Sequence, residues 1–253
     1  MEQQNTVQSV NKALILTELL LQNGAPMTLA ELSRRSGFPK STTHALLSTM
    51  RQHNIITQRE DGRYYLGLRL FEYGCAVSAE WDISRVAHPY LEKLAMTTGA
   101  SAFISIMDGG AVVNIDQCIG SDTLHVVSEI GHRLPLHATS QGKLLLSRFS
   151  DTEALRRVGS MTAFTPHTIS DHEALLAALH RIEADGYAVE DGEYRIGLRS
   201  VSAPVYDRSR NMAYAIGVVG FFRRVASEEF AAVIEATQAA GRSLSQALGY
   251  QEL

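Results

Sequence analysis

Three helical segments followed by a hairpin occupy the first 68 residues, and this order restricts the fold more than any other feature. In the first segment, 3-4-3-4 spacing predicts one apolar face of a helix, formed by Val7, Val10, Leu14, Thr17 and Leu21. Thr28 and Glu31 have the spacing of a capping box, which predicts a second, short helix from Leu29 to about Ser36. The sequence therefore begins with two helices separated by a turn at Pro26.

The third helix, predicted to begin near Pro39, has two contrasting faces. One is a stripe that would pack on the first two helices: Thr43, Leu46, Leu47 and Met50. The other is small, polar and free of acid, with Ser41, His44, Ala45 and Ser48, and with Lys40 and Thr42 beside them. Such a face suits the major groove, because acidic side chains would repel the flanking phosphates. The alternative is an ordinary solvated helix face.

A hairpin follows the third helix. Alternating runs at 55–59 and 63–68 flank Glu60-Asp61-Gly62, in which the Asp-Gly pair predicts a two-residue turn. Three helices and a hairpin in this order indicate a winged helix-turn-helix, in which the third helix reads the major groove and the wing contacts phosphates or the minor groove. For the groove we predict Lys40, Ser41, Thr42 and His44; for phosphate and wing contacts we predict Arg34, Arg51, Arg59 and Arg63.

Charge and composition agree with a protein that binds DNA at one end. The formal net charge of the 253 residues is −4, but residues 1–66 carry an excess of basic side chains while the remainder is acidic. No apolar run is long enough to span a membrane, and the first ten residues do not resemble a secretion signal. Cys75 and Cys118 stand far apart, so we expect a reducing, cytoplasmic location.

The remainder of the chain predicts an α+β domain. A helix over 67–80 would connect it to the first domain, and Asp82 would cap the next helix. Further strands are predicted at 102–107, 111–117, 124–130, 199–206 and 213–221, and helices at 142–148, 171–184 and from Ser227 onward. Consecutive antiparallel strands with helices around them are typical of the α+β class.

The segment from Gly131 to Lys143 allows three interpretations. A phosphate-binding P-loop would require Gly in place of His137, so that motif is absent. A serine-hydrolase elbow, with Ser140 as nucleophile, lacks only the first Gly of its pattern and stays an alternative function. We favour the third interpretation, a helix N-terminus at which the N–H groups of Ser140 and Gln141 hold a carboxylate or hydroxyl group.

Several motifs resemble the IclR family of bacterial transcription regulators. In the first domain these are the segment from Pro39 to Leu47 and Tyr65-Leu66-Gly67-Leu68-Arg69-Leu70; in the second they are 131–139, Gly186-Tyr187-Ala188, Gly197-Leu198-Arg199 and Ala203-Pro204-Val205-Tyr206-Asp207. The resemblance implies a winged helix-turn-helix domain (1–67), a linker helix (68–81) and a GAF-like effector-binding domain (82–253). It also implies pairing through the linker helix into a homodimer or homotetramer.

The resemblance further implies where a small organic-acid or sugar-acid effector would bind. The positions that match the family's pocket are Ser140, Gln141, Glu190, Leu198, Ser200, Gly217 and Val219. Family members that bind small keto acids can carry Ser at the last two positions. We therefore expect a roomier and less polar wall here, and an effector that is larger or partly apolar.

The function predicted from the sequence is that of a sequence-specific regulator of a catabolic operon, with repression as the expected direction and activation as the alternative. Its expected partners are double-stranded DNA, the acid effector and further copies of itself, without a membrane. No cofactor is expected, and no metal, because the histidines lack the spacing of a zinc site. A second domain that serves only for oligomerisation is a further alternative.

Overall fold

The computed structural model describes residues 6–80, 83–121 and 130–251. By the density of its internal contacts, the chain divides into two compact units, Met1–Trp81 and Asp82–Leu253. Among the described residues, no helix combines the length and apolar character needed to cross a membrane.

The first unit contains three packed helices, a short hairpin and a fourth helix. In chain order these are α1 (Gln8–Asn23), α2 (Leu29–Ser36), α3 (Lys40–Gln52), β1 (Ile56–Gln58), β2 (Tyr64–Leu66) and α4 (Leu68–Glu80). The predicted capping box is confirmed: the Thr28 hydroxyl accepts from the N–H of Glu31, whose carboxylate accepts from the N–H of Thr28. The core includes Leu16, Leu32 and Leu47, which are fully buried.

The side of α1 that packs is not the side that the sequence pattern selected. Leu16 and Leu20 are buried against α2 and α3. The predicted apolar face is instead largely exposed, with 56–66% of the surface of Val7, Val10, Leu14 and Leu21 accessible. The segment is apolar on two sides, and periodicity alone cannot tell which of the two packs on the neighbouring helices.

The hairpin loop also differs from the prediction. Arg59 and Arg63 form its closing pair, with the N–H of Arg59 donating to the carbonyl of Arg63 at 2.8 Å, so the loop has three residues instead of two. Gly62 occupies the last loop position at a φ of +80°, the left-handed conformation that a three-residue hairpin loop requires there. The turn glycine was therefore identified correctly, but the turn type was not.

Within its described residues, the second unit forms a six-stranded antiparallel sheet with helices on both faces, which confirms the predicted α+β class. Its helices are α5 (Ile83–Thr98), α6 (Ser140–Leu146), α7 (Asp151–Val158), α8 (His172–Asp185) and α9 (Glu228–Ala247). Its strands, in the spatial order β5-β4-β3-β8-β7-β6, are β3 (Ser101–Asp108), β4 (Ala111–Cys118), β5 (Arg133–Pro135), β6 (Ala188–Asp191), β7 (Arg199–Tyr206) and β8 (Met212–Gly220).

Alternation along the strands separates two layers. Val201, Ala203 and Val205 of β7 join a cluster with α5 and α9, whereas α6 and α8 contribute to a second apolar cluster. The opposite face of β7, carrying Ser200 and Ser202, is polar and buried. The strand at 124–130 and the cap at Asp82 lie essentially outside the described residues; β5, α7 and β6 were not predicted from the sequence.

Candidate functional sites

The two faces of α3 are divided as the sequence predicts. Thr43, Leu47 and Met50 are buried, with Leu46 partly so. The opposite side carries His44 and Ala45, which are exposed, and no acidic side chain. The predicted groove residues Lys40 and Ser41 are exposed near the N-terminus of α3, and Thr42 is partly buried.

The four predicted phosphate and wing arginines are all exposed in the first unit. Arg34 lies in the last turn of α2. Arg51 Nη1 donates to Gln58 Oε1 at 2.6 Å and so joins α3 to the hairpin. Arg59 lies over the ring of Tyr65, and Arg63 is 3.7 Å from Asp61. The surface that includes the α3 face and the hairpin is therefore basic. Arg63 also donates to the carbonyl of Pro26 at 3.5 Å, and its exposed ion pair with Asp61 is weak.

In the second unit, strand register brings most of the predicted effector residues to one face of the sheet. Glu190 pairs with Ser200, which pairs with Val219 on the next strand. In the adjacent cross-strand row, Ser202 pairs with Gly217. Leu198 is half-buried in the β6–β7 loop, where it accepts from the N–H of Gly192.

Glu190 is the acid of this face whose pKa is shifted furthest from its ordinary value. It is 3% exposed; its Oε2 accepts from the Ser200 hydroxyl at 3.1 Å, and its Oε1 accepts from the N–H groups of Glu193 and Tyr194. Burial raises the pKa of Glu190 to about 7; the nearby charge of Glu193 adds to the rise and the three hydrogen bonds oppose it. Near neutral pH this carboxyl group can therefore both accept and donate a hydrogen bond.

The N-terminus of α6 faces the same polar surface. Ser140 is fully buried, and its hydroxyl lies 2.8 Å from that of Ser202. Thr139 caps the helix by accepting from the N–H of Gly142, whereas the N–H groups of Ser140 and Gln141 stand in the first turn, where helix geometry provides no acceptor. The predicted helix at 142–148 thus begins two residues earlier, so that these N–H groups belong to it.

The contacts of Ser140 do not provide a nucleophile. Its hydroxyl partners are Ser202 and Gln141, neither of which is a general base. Gly142, which resembled the last glycine of a hydrolase elbow, has a packing role: a Cβ there would lie 2.3 Å from the carbonyl oxygen of Leu136. The arrangement is suited to binding and lacks the base that a serine hydrolase needs.

The predicted roomier wall at Gly217 is wrong. A Cβ on this residue would lie 2.7 Å from the Cζ of Phe103 and 2.3 Å from the carbonyl oxygen of Val201. The ring of Phe103 therefore occupies the space that the missing side chain leaves, and the wall is less polar without being larger. Phe103 and Ser202 were not predicted from the sequence, although period-2 alternation from Ser200 places Ser202 on the same face.

The histidines and acids of the described residues form no group of three or more ligands close enough to hold a metal ion. His137 is buried, with Nε2 2.9 Å from the carbonyl oxygen of Thr162, and His180 contacts Asp151 at 2.9 Å. Ordinary hydrogen bonds account for both side chains.

Comparison with known proteins identifies the family. Residues 75–246 match the model "Bacterial transcriptional regulator IclR C-terminal", and residues 9–60 match "IclR helix-turn-helix domain". The chain belongs to the IclR family. Its members are transcriptional regulators with a DNA-binding helix-turn-helix domain, so the serine-hydrolase alternative is not supported.

Relatives of this IclR-family chain align over nearly its full length. It is 36% identical to the transcriptional regulator XynR of Escherichia coli K12, over 96% of this chain and 98% of that protein. It is 28% identical to the transcriptional repressor AllR of Salmonella typhi, over 97% and 92%. An IclR homolog from Microbacterium hydrocarbonoxydans, solved with 4-hydroxybenzoate, has the same fold, with a TM-score of 0.82, 21% identity and coverage of 95% and 98%. The predicted two-part fold is confirmed by these matches.

Proposed function

We propose that this IclR-family protein is a cytoplasmic, sequence-specific repressor of a catabolic operon, controlled by a small organic acid or sugar acid. In this proposal residues 1–67 bind DNA, 68–81 form a linker helix and 82–253 bind the effector. The observation that carries it is that one chain contains both an exposed, acid-free α3 face in its first unit and a buried, polar sheet face in its second. The naming of AllR as a repressor supports the direction of control.

In the first unit, α3 enters the major groove of operator DNA. Lys40, Ser41, Thr42 and His44 face the base edges, and the arginines of α2, α3 and the hairpin contact phosphates or the minor groove. The absence of acid on the exposed α3 face removes the repulsion that would oppose this approach. Base contacts then provide sequence preference, while the arginines provide most of the salt-dependent affinity.

In the second unit, the effector lies between the sheet and the N-terminus of α6. Its carboxylate accepts from the first-turn N–H groups of Ser140 and Gln141, and its hydroxyl groups bond to Glu190 and Ser200. Leu198, Val219 and Gly217 form the less polar boundary. Because the polar side chains of this face already bond to one another, an effector must replace those bonds, which favours a ligand with several matched polar groups.

A dimer is expected, because one winged domain contacts too few base pairs to select a genomic site. Two exposed apolar surfaces of the first unit support this part of the proposal. One is the α1 face described above; the other is on α4, where Leu68 and Phe71, three residues apart on one side of the helix, are 69% and 68% exposed. Effector binding would then favour one of two arrangements of the DNA-binding domains through its different affinity for each.

The proposal is tested by fluorescence anisotropy on a DNA duplex selected from a random pool with the purified protein. We expect tight binding to the selected duplex, weaker binding to a scrambled one, and release by at least one acid from a panel of sugar acids, hydroxy acids and aromatic acids that includes 4-hydroxybenzoate. Ser200→Ala should keep DNA binding and weaken the response to that acid.

Two results would contradict parts of the proposal. Selection that enriches no sequence would overturn the sequence-specific regulator. Sequence-specific binding that no acid alters, together with no thermal shift from any acid, would favour a second domain that serves only for oligomerisation. A ligand at about 100 times its Kd should add about 2.7 kcal/mol of stability, which a thermal shift detects readily.

A further inference from the structure

Phe103 is an unusual member of the buried sheet face. Its side chain is 2% exposed, yet among the described residues it belongs to neither of the two apolar clusters of its unit. Its strand neighbours Ala102 and Ile104, by contrast, both point into the α5–α9 cluster. The ring therefore packs on a part of the sheet face that neither cluster covers.

The surroundings of the ring are polar and small. Phe103 pairs across the sheet with Gly217, which in turn pairs with Ser202. The Cβ that Gly217 lacks would lie 2.7 Å from Phe103 Cζ and 2.7 Å from Ser202 Oγ, so the ring tip lies over the glycine and beside the serine. Ser202 Oγ is in turn 2.8 Å from the hydroxyl of Ser140 at the start of α6. The ring thus forms part of the sheet surface next to the proposed carboxylate site.

The second polar group of the proposed site, formed by Glu190 and Ser200, lies two residues before Ser202 on β7. Ser200, which bonds to Glu190 Oε2 at 3.1 Å, stands two residues from Ser202 on the same strand. Two residues of β-strand span about 7 Å. A ligand that contacts both the start of α6 and Glu190 must bridge about this distance, and its middle part must pass the ring.

We infer that Phe103 determines effector specificity: its ring packs against the carbon body of a hydroxy acid that is long enough to place a carboxylate at Ser140 and a hydroxyl group at Glu190. This inference rests on the proposed effector site and deepens it by naming the ligand class. Acids of two or three carbons are too short to bridge the two polar groups and gain nothing from the ring. A ring-hydroxylated aromatic acid and an open-chain sugar acid share the required chemistry.

The test measures affinities of three probes by titration calorimetry on the full-length protein. The probes are 4-hydroxybenzoate, gluconate and glycolate; the first two separate an aromatic from an open-chain body, and the third is short. The variants are Phe103→Leu and, should that variant fold poorly, Phe103→Met. Ile104→Val is the matched control, because it removes core volume from the next residue on the other face of the same strand.

We expect the wild-type protein to bind at least one long probe more tightly than glycolate. Phe103→Leu or Phe103→Met should weaken the long probe about tenfold, as expected for a lost aromatic contact, and change glycolate less than twofold. Ile104→Val should leave both affinities unchanged. If the Phe103 variants weaken binding of 4-hydroxybenzoate, the effector has an aromatic body; if they weaken binding of gluconate, it has an open-chain body.

Two results would overturn the inference alone: tightest binding of glycolate by the wild-type protein, or a long probe whose affinity is the same in the Phe103 variants as in the wild type. Wild-type protein that binds neither long probe, although another acid of the wider panel shifts its stability, would also overturn the inference. Failure of the proposed function gives a different pattern, because then no acid of that panel changes thermal stability or DNA binding.

Discussion

Lys143 Nζ and Glu193 Oε1 form an ion pair in the interior of the second unit, where the two side chains are 4% and 11% exposed. The pair joins α6 to the loop that follows β6. The carbonyl of Glu193 also accepts from the Thr168 hydroxyl at 2.6 Å, so the same loop is held from a third segment. Glu193 Oε2 is buried without a hydrogen-bond partner among the described residues, so Lys143 is the main compensation for the buried carboxylate.

Removing Lys143 alone should therefore destabilise the protein strongly. We expect Lys143→Met to lower the free energy of unfolding by about 3–5 kcal/mol, because it leaves an uncompensated buried carboxylate. The double variant Lys143→Met/Glu193→Leu should recover most of this loss, since no buried charge remains. Urea unfolding followed by circular dichroism measures both changes.

The exposed pair of Arg69 and Glu72, at 2.7 Å, is the matched control. Arg69→Met should change stability by less than about 1 kcal/mol, as is usual for a surface ion pair. If Lys143→Met lowered the free energy of unfolding by no more than Arg69→Met does, the buried pair would be no more important for stability than an exposed one, and the prediction would be wrong.

Glu190 should make stability depend on pH. Its folded-state pKa of about 7 lies above the ordinary value of 4.5, so between these values the folded protein binds the proton more tightly than the unfolded chain. The contribution of Glu190 to stability is then complete below about pH 4.5 and is lost as the pH rises to about 7, by about 3 kcal/mol in total. Glu190→Gln lacks this titration, so the wild-type-minus-variant difference should decrease between pH 5 and pH 8 in urea unfolding. A constant difference would mean that the pKa of Glu190 is ordinary.

Local features of this chain were predictable from the sequence because short-range chemistry determines them. The Thr28–Glu31 capping box involves residues three apart, and the two faces of α3 follow from helical periodicity. Alternation along β7 likewise separates Ser200 from Val201. The Glu190–Ser200 contact lay beyond local chemistry and became predictable only through resemblance to a known family.

Long-range features were not predictable in the same way. Nothing near Phe103 in the sequence shows that its ring covers Gly217, more than 100 positions later, and the absent side chain was therefore interpreted as open space. Lys143 and Glu193 are fifty residues apart and meet only through the packing of α6 on the sheet. The packing side of α1 depends on contacts with α2 and α3, which the pattern of α1 alone does not contain.

Arg63 and His44 should affect DNA binding differently. Arg63→Ala removes a proposed phosphate contact, so affinity should fall on all sequences and the slope of log K against log salt should become shallower by about 1. His44→Ala should instead reduce the preference for the selected duplex over variants with single base changes, with a smaller effect on the slope. Anisotropy titrations at salt concentrations between about 50 and 200 mM measure both effects, because affinity that depends on phosphate contacts changes strongly over this range.

Arg242→Ala is the control for these variants, because Arg242 is an exposed arginine of α9 in the other unit. It should change neither affinity nor slope. An unchanged slope in Arg63→Ala would remove the hairpin from the proposed DNA contact, and an unchanged base preference in His44→Ala would remove that side chain from the groove.

Phe71 should be required for self-association through α4. Its side chain is 68% exposed in the isolated chain, and Leu68 on the same helix is 69% exposed. Both would be removed from water in a dimer paired along this helix, at about 25 cal/mol per Å² of apolar surface. Phe71→Glu would place a charge in that interface, so sedimentation equilibrium should show a dimer or tetramer for the wild type and a smaller species for the variant.

Met96 provides the comparison, because it is 83% exposed on α5 in the other unit. Met96→Glu adds the same charge to an exposed apolar position outside the first unit. We expect it to leave the molecular mass of the oligomer, measured by sedimentation equilibrium, unchanged. Because the proposed dimer contacts two half-sites at once, Phe71→Glu should also weaken binding to the selected duplex more than Met96→Glu does. If Phe71→Glu retained the wild-type mass with its helix content intact, pairing would have to occur elsewhere, and the exposed residues of α4 would need a different partner.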